Sequence, residues 1–125
     1  MDQKLWKKLL NENTLVTEGV SSKAVDSYLE TALWSTDLDD YTIRDIDKSA
    51  VNQAKKDLTK FFAMAKKYIQ DEQDDDVAHD FWLTRNGHGA GFWDGDYEYG
   101  DELTKLSKKF GEIDPYAGDD GKIYF

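Results

Sequence analysis

From Lys48 to Asp71 apolar side chains return with the period of an α-helix, and no other feature of the chain constrains its fold as strongly. Val51, Ala54, Leu58, Phe61, Phe62, Ala65, Tyr68 and Ile69 form one stripe, and Lys55, Lys56, Lys60, Lys66 and Lys67 lie mostly on the other side. A stripe of this kind needs a second element to cover it. Residues 21–35, SSKAVDSYLETALWS, offer one: Ser21 or Ser22 is placed to cap, and Val25, Tyr28, Leu29, Ala32 and Leu33 share a face. Residues 3–10, QKLWKKLL, set Leu5, Trp6, Leu9 and Leu10 at helical spacing before Asn11, Glu12 and Asn13 stop them. Between 36 and 47, TDLDDYTIRDID reads as an acidic loop with a short strand or one helical turn.

After DEQDDD (71–76), which reads as a solvated linker, the pattern changes to aromatics and glycines. The stretch DFWLTRNGHGAGFWD, Asp80 to Asp94, has Asn86-Gly87 at its centre, the strongest short-range signal for a β-hairpin with a type I′ turn. In that register Phe81, Leu83, Ala90 and Phe92 face the core, and Trp82 and Thr84 lie across from Gly91 and Gly89. The glycines then make room for an indole ring. Residues 101–111, DELTKLSKKFG, follow as an amphipathic helix through Leu103, Leu106 and Phe110. Short strands at 112–116 and 122–125 close the chain. The expectation is an α+β domain, with about three N-terminal helices (1–76) packed on a C-terminal ββαββ antiparallel sheet (77–125).

One domain fits a length of 125 residues. A chain of that size buries about two-thirds of its unfolded surface and needs no staple. It has no cysteine, which removes a disulfide framework, a thiolate zinc site and a thiol nucleophile. The apolar run at the start is too short for a signal peptide, and no segment has membrane-spanning length, so a cytoplasmic protein is expected. The 26 acids outnumber 16 bases, for a net charge of −10. A field of that sign repels nucleic-acid backbones and anionic membranes and attracts basic surfaces.

No convergent catalytic set is legible. In the hairpin register His79 and His88 stand roughly 20 Å apart, at about 3.3 Å per residue, too far to share a metal. Gly87, Gly89 and Gly91 alternate within a strand pattern and open no helix onto a phosphate. No cofactor, metal or catalytic residue is therefore assigned. Acids cluster at Asp37, Asp39 and Asp40, at 71–76, and at Asp94, Asp96, Glu98, Asp101 and Glu102, the last group interleaved with Tyr97 and Tyr99. Solvation explains such clusters. The sharper reading is that these carboxylates imitate phosphates and occupy a nucleic-acid-binding groove on a host protein, with Tyr97 and Tyr99 anchoring the contact. The alternative is a small-ligand or single-strand site on a Trp82/Trp93 face with Thr84, Arg85 and His88.

The block DFWLTRNGHGAGFWD resembles small proteins encoded by bacteriophages and prophages. YLETALWS (28–35), DELTKLSKKFGE (101–112) and GDDGKIY (118–124) add to the likeness, which runs from about residue 28 to the end. The resemblance implies a phage or mobile-element origin and action in the bacterial cytoplasm, and it supplies no activity and no site residues. The combined expectation is a non-enzymatic acidic accessory protein that binds a host nucleic-acid-handling or defence protein, with neither nucleic acid nor membrane as a direct partner.

Overall fold

The computed structural model describes residues 20–88, 91–94 and 97–125; the helix expected at 3–10 lies outside them. Helix α1, Ser22–Ser35, begins where Ser21 accepts a hydrogen bond from the Ala24 N–H at 3.1 Å. Helix α2, Lys48–Ala65, begins on Asp47, whose carboxylate accepts from the Ser49 N–H at 2.9 Å. Both caps satisfy N–H groups that the first turn of a helix leaves without partners. The acidic segment between α1 and α2 makes one 3-10 turn, Ile43–Asp45.

Helix α3, Asp74–Arg85, overturns the expected hairpin. Its first turn is Asp74, Asp75 and Asp76, so the acids read as a linker instead complement the positive end of a helix dipole. Its second half is buried on nearly every side: Phe81, Trp82, Leu83, Thr84 and Arg85 are all inaccessible or nearly so. A helix surrounded by protein has no polar stripe, and short apolar runs of that kind are indistinguishable by periodicity from buried strands. Asn86-Gly87 ends this helix. Gly87 has φ +72°, its N–H donates to Thr84 O, and the His88 N–H donates to Leu83 O at 2.9 Å, the Schellman arrangement. Asn86 has φ −99°, whereas a type I′ turn needs φ above zero at both central residues.

Beyond the cap, Phe92–Asp94 is a 3-10 turn where a strand was expected. Helix α4 follows at Gly100–Lys108. Strands β1, Tyr116–Ala117, and β2, Ile123–Tyr124, pair antiparallel with Tyr116 opposite Tyr124. The C-terminal half thus runs α, α, β, β, and the ββαββ sheet reduces to a single terminal hairpin. Ile123, fully buried, bridges to Ile46, and its carbonyl accepts the Asp47 N–H at 2.8 Å, which fastens the hairpin to the start of α2.

The three larger helices meet through stacked rings. Phe61 of α2 lies 4.1 Å from Phe81 of α3, nearly parallel, with Tyr28 of α1 and Phe92 extending the stack. Phe110 stands edge-on to Phe61 and Phe81. Among the described residues no helix is long and apolar enough to cross a membrane.

Candidate functional site

Helix α3 distributes its polar groups unequally. Near its end Arg85 is almost wholly enclosed. Its Nε donates to Gly111 O and one Nη to Phe110 O, both at 2.8 Å; the other Nη reaches Tyr28 Oη at 2.9 Å and Asp57 Oδ2 at 2.8 Å. The guanidinium also lies over the rings of Phe81 and Phe110. Four of its five N–H donors are therefore used inside the protein. Burial pushes the Tyr28 phenol well above its ordinary pKa, with Arg85 acting against that shift, so Tyr28 is held neutral. This is a clamp joining α1, α2, α3 and the segment after α4, and it offers no arm to a ligand.

The other members of the Trp82/Trp93 alternative are placed just as tellingly. Trp82 is fully buried, edge-on to Tyr28, and its Nε1 donates to Ser35 Oγ at 2.9 Å. Thr84 Oγ1 accepts the Phe92 N–H at 3.0 Å. Gly91 approaches α3 so closely that a Cβ there would collide with Thr84 Oγ1, so the room it makes is for Thr84 and not for the indole of Trp82. Trp93 is 40% exposed, and Lys108 sits over its ring at 5.7 Å. His88 is half-buried just beyond the cap. The expected common face of Trp82 and Trp93 is absent, because a helix, not a strand, carries Trp82.

One turn earlier, α3 turns its polar side to solvent. Glu72, Asp76, His79, Asp80 and Tyr97 line an open cleft of about 360 Å³. Asp80 is its centre: one carboxylate oxygen lies 2.9 Å from His79 Nδ1, and the other accepts the Tyr97 hydroxyl at 2.6 Å. Tyr97 packs edge-on against Phe92 at 4.9 Å. Desolvation, then the Asp80 hydrogen bond and the negative charges of Asp80, Glu72 and Asp76, drive the Tyr97 phenol far above its ordinary pKa. Tyr97 is therefore a fixed neutral donor. Trp34, 52% exposed, lies 5.8 Å from the His79 ring.

Tyr97 also forms a wall of a second hollow, of about 250 Å³, with Phe92, Trp93, Glu98, Gly100, Asp101 and Glu102. Tyr99, 38% exposed, leans on Tyr68 at 5.2 Å. Acids far apart in sequence thus converge on one tyrosine; among the described residues the two linings contain no lysine or arginine, and Lys108 stands behind them over the Trp93 ring. Of the expected partner-binding residues, Tyr97, Glu98, Asp101 and Glu102 line these hollows, and Tyr99 lies against Tyr68 instead; Asp96 and the side chain of Asp94 lie outside what the structure describes. Glu72, Asp76 and Asp80 were not among them. A helical reading of 74–85 would have set Asp76 and Asp80 four apart on one face.

The chemistry open to this cluster is limited. In a nucleophilic triad the imidazole stands between carboxylate and hydroxyl; here the carboxylate stands in the middle and restrains both neighbours. Among the described residues no group of three or more His, Cys, Asp or Glu is placed to hold a metal. Comparison with family models, curated proteins and solved structures finds no match to this chain.

Proposed function

We propose that the chain is a non-enzymatic binding protein of phage or prophage origin whose two hollows around Tyr97 receive a basic surface of a bacterial nucleic-acid-handling or defence protein. The observation that carries this reading is the convergence of Glu72, Asp76 and Asp80 with Glu98, Asp101 and Glu102 on the two sides of one restrained tyrosine. Carboxylates at the rim steer a basic partner and set register, while partly exposed aromatics such as Trp93 and Tyr99 supply contact area. Asp80, tied to both His79 and Tyr97, gives the surface a rigid centre, so little ordering entropy is lost on docking.

The test is capture from bacterial lysate by the intact chain and by a variant carrying E72Q, D76N, E98Q, D101N and E102Q, with mass spectrometry of retained proteins. The expected outcome is retention of nucleic-acid-handling proteins by the parent chain, release by moderate salt or competing duplex DNA, and loss with the variant. A retained set indifferent to all five neutralisations would sink the reading.

A further inference from the structure

Asn86-Gly87 closes α3, and the same pair carries a chemistry of its own. Asparagine is a thermolabile residue, most of all before glycine. Once deprotonated, the Gly87 backbone nitrogen attacks Asn86 Cγ. The new C–N bond closes a five-membered succinimide, and the side-chain amide leaves as ammonia, carrying the proton. One water then opens the ring at either carbonyl. The product is aspartate or, with the main chain rerouted through Cβ and Cγ, isoaspartate. Glycine favours the step because it has no Cβ to hinder the approach and adopts conformations closed to other residues. The other asparagines, Asn11, Asn13 and Asn52, precede the bulkier Glu12, Thr14 and Gln53.

The fold withholds what ring closure needs. Asn86 Nδ2 donates to Trp82 O at 3.0 Å, and Oδ1 accepts the Ile113 N–H at 2.7 Å, so the amide is pinned at both ends. The Gly87 N–H donates to Thr84 O at 3.2 Å, so the nucleophilic nitrogen keeps its proton in a cap bond. Asn86 has ψ 4°, which eclipses its own backbone nitrogen with that of Gly87. Its Cβ, which has to eclipse the Gly87 nitrogen for the ring to close, is turned aside. Ile113 follows the stretch whose Phe110 and Gly111 carbonyls hold Arg85. The restraint on Asn86 therefore lasts as long as the end of α3 stays packed against residues 110–113.

We propose that Asn86 is a self-modification site, silenced by the folded cap and set running by any opening of the end of α3. The modified cap cannot be rebuilt. Aspartate lacks the Nδ2 donor to Trp82 O and puts negative charge at the negative end of the helix dipole. Isoaspartate inserts one carbon into the main chain before Gly87, which throws the bonds to Thr84 O and Leu83 O out of register. Opening is thus recorded covalently, and molecules that open often are lost from the native pool. The site is separate from the hollows around Tyr97.

The test holds the intact chain at mildly alkaline pH, in native buffer and in urea above its unfolding transition. Mass spectrometry follows the peptide containing residues 86–87, with electron-transfer fragmentation to separate isoaspartate from aspartate. In urea Asn86 should convert ahead of Asn11, Asn13 and Asn52. In native buffer it should convert more slowly by about 100-fold or more, because a reaction through an opened state scales with the population of that state. Isoaspartyl chain, separated from the parent after removal of urea, should fail to refold or should unfold at a lower denaturant midpoint. Equal rates in the two conditions, prior conversion of another asparagine in urea, or an isoaspartyl chain with the parent's midpoint would each overturn the proposal.

Discussion

Helix α3 carries two charged constellations five residues apart, about 7.5 Å along its axis. Arg85 is enclosed, its side chain 3% exposed, and is bonded to groups from three other parts of the chain. Asp80 is 20% exposed and bonded to its own neighbour His79 and to Tyr97. Both are held by several partners, yet their surroundings differ. Around Arg85 the low dielectric makes every bond strong and every loss costly. Around Asp80 water reaches and screens the charges, so the same kind of bonding positions side chains at less cost when it is lost. Charge on a single helix is locked into structure where it is buried and held more loosely where it is wet.

Removing Arg85 should give the largest effect. R85M leaves Asp57, Tyr28 and two carbonyls without their donor, and a broken buried ion pair costs about 3–5 kcal/mol; denaturant unfolding at neutral pH should show it. A loss under about 1 kcal/mol would mean that the clamp is dispensable and the contrast between the two constellations false. G91A comes next, since the new methyl group must displace the Thr84 hydroxyl from a packed site, and overpacking of this kind costs about 1–3 kcal/mol. It should be partly relieved in a double variant with T84A, and additivity would argue that the collision is not the cause.

On the wet side, Y97F removes one hydrogen bond to a carboxylate, worth about 1 kcal/mol once its partial exposure is allowed for. It should lower stability by only that amount in denaturant unfolding at neutral pH, because Asp80 keeps its contact with His79 and loses only the donor to its second oxygen. A loss of several kcal/mol would mean that the Tyr97 hydroxyl belongs with the buried clamp and not with the wet side. The smallest effect belongs to the terminal hairpin. There Asp120 accepts the Tyr124 hydroxyl at 2.6 Å, which pushes the phenol up to about 12 and lowers the carboxyl. A raised acid contributes below its unfolded value and is lost as pH climbs through the folded one, so the Tyr124 arm should fade between about 10 and about 12. The depressed Asp120 contributes above its unfolded value and is lost in acid. Phenolate absorbance should show a late transition near the top of that window that Y124F abolishes; its persistence in Y124F would assign it to another tyrosine.

How far the sequence was readable differs element by element. Helices α1, α2 and α4 have one apolar face each, so their period is visible, and the caps at Ser21 and Asp47 sit where the residue types place them. The terminal hairpin was readable from its turn residues, but its first strand is Tyr116–Ala117 and shares only Tyr116 with the expected 112–116. Helix α3 was not readable, because Phe81, Trp82, Leu83, Thr84 and Arg85 are buried in succession and erase the period. Asn86-Gly87 then compounded the error, since a helix cap and a hairpin turn both call for glycine at positive φ. The candidate site failed in the same place. Glu98, Asp101 and Glu102 were recognisable as an acidic group, but their meeting with Glu72, Asp76 and Asp80 required α3 to be a helix.

By itself the sequence determined the excess of acid, the absence of thiols, and helices α1, α2 and α4, because those properties are local or periodic. Only the tertiary structure decided that Arg85 reaches Asp57, that Trp82 is lost to the core, and that two acidic stretches share Tyr97. The reason is physical: a residue's burial depends on what the rest of the chain brings against it, and α3 is surrounded by parts of the chain far from it in sequence.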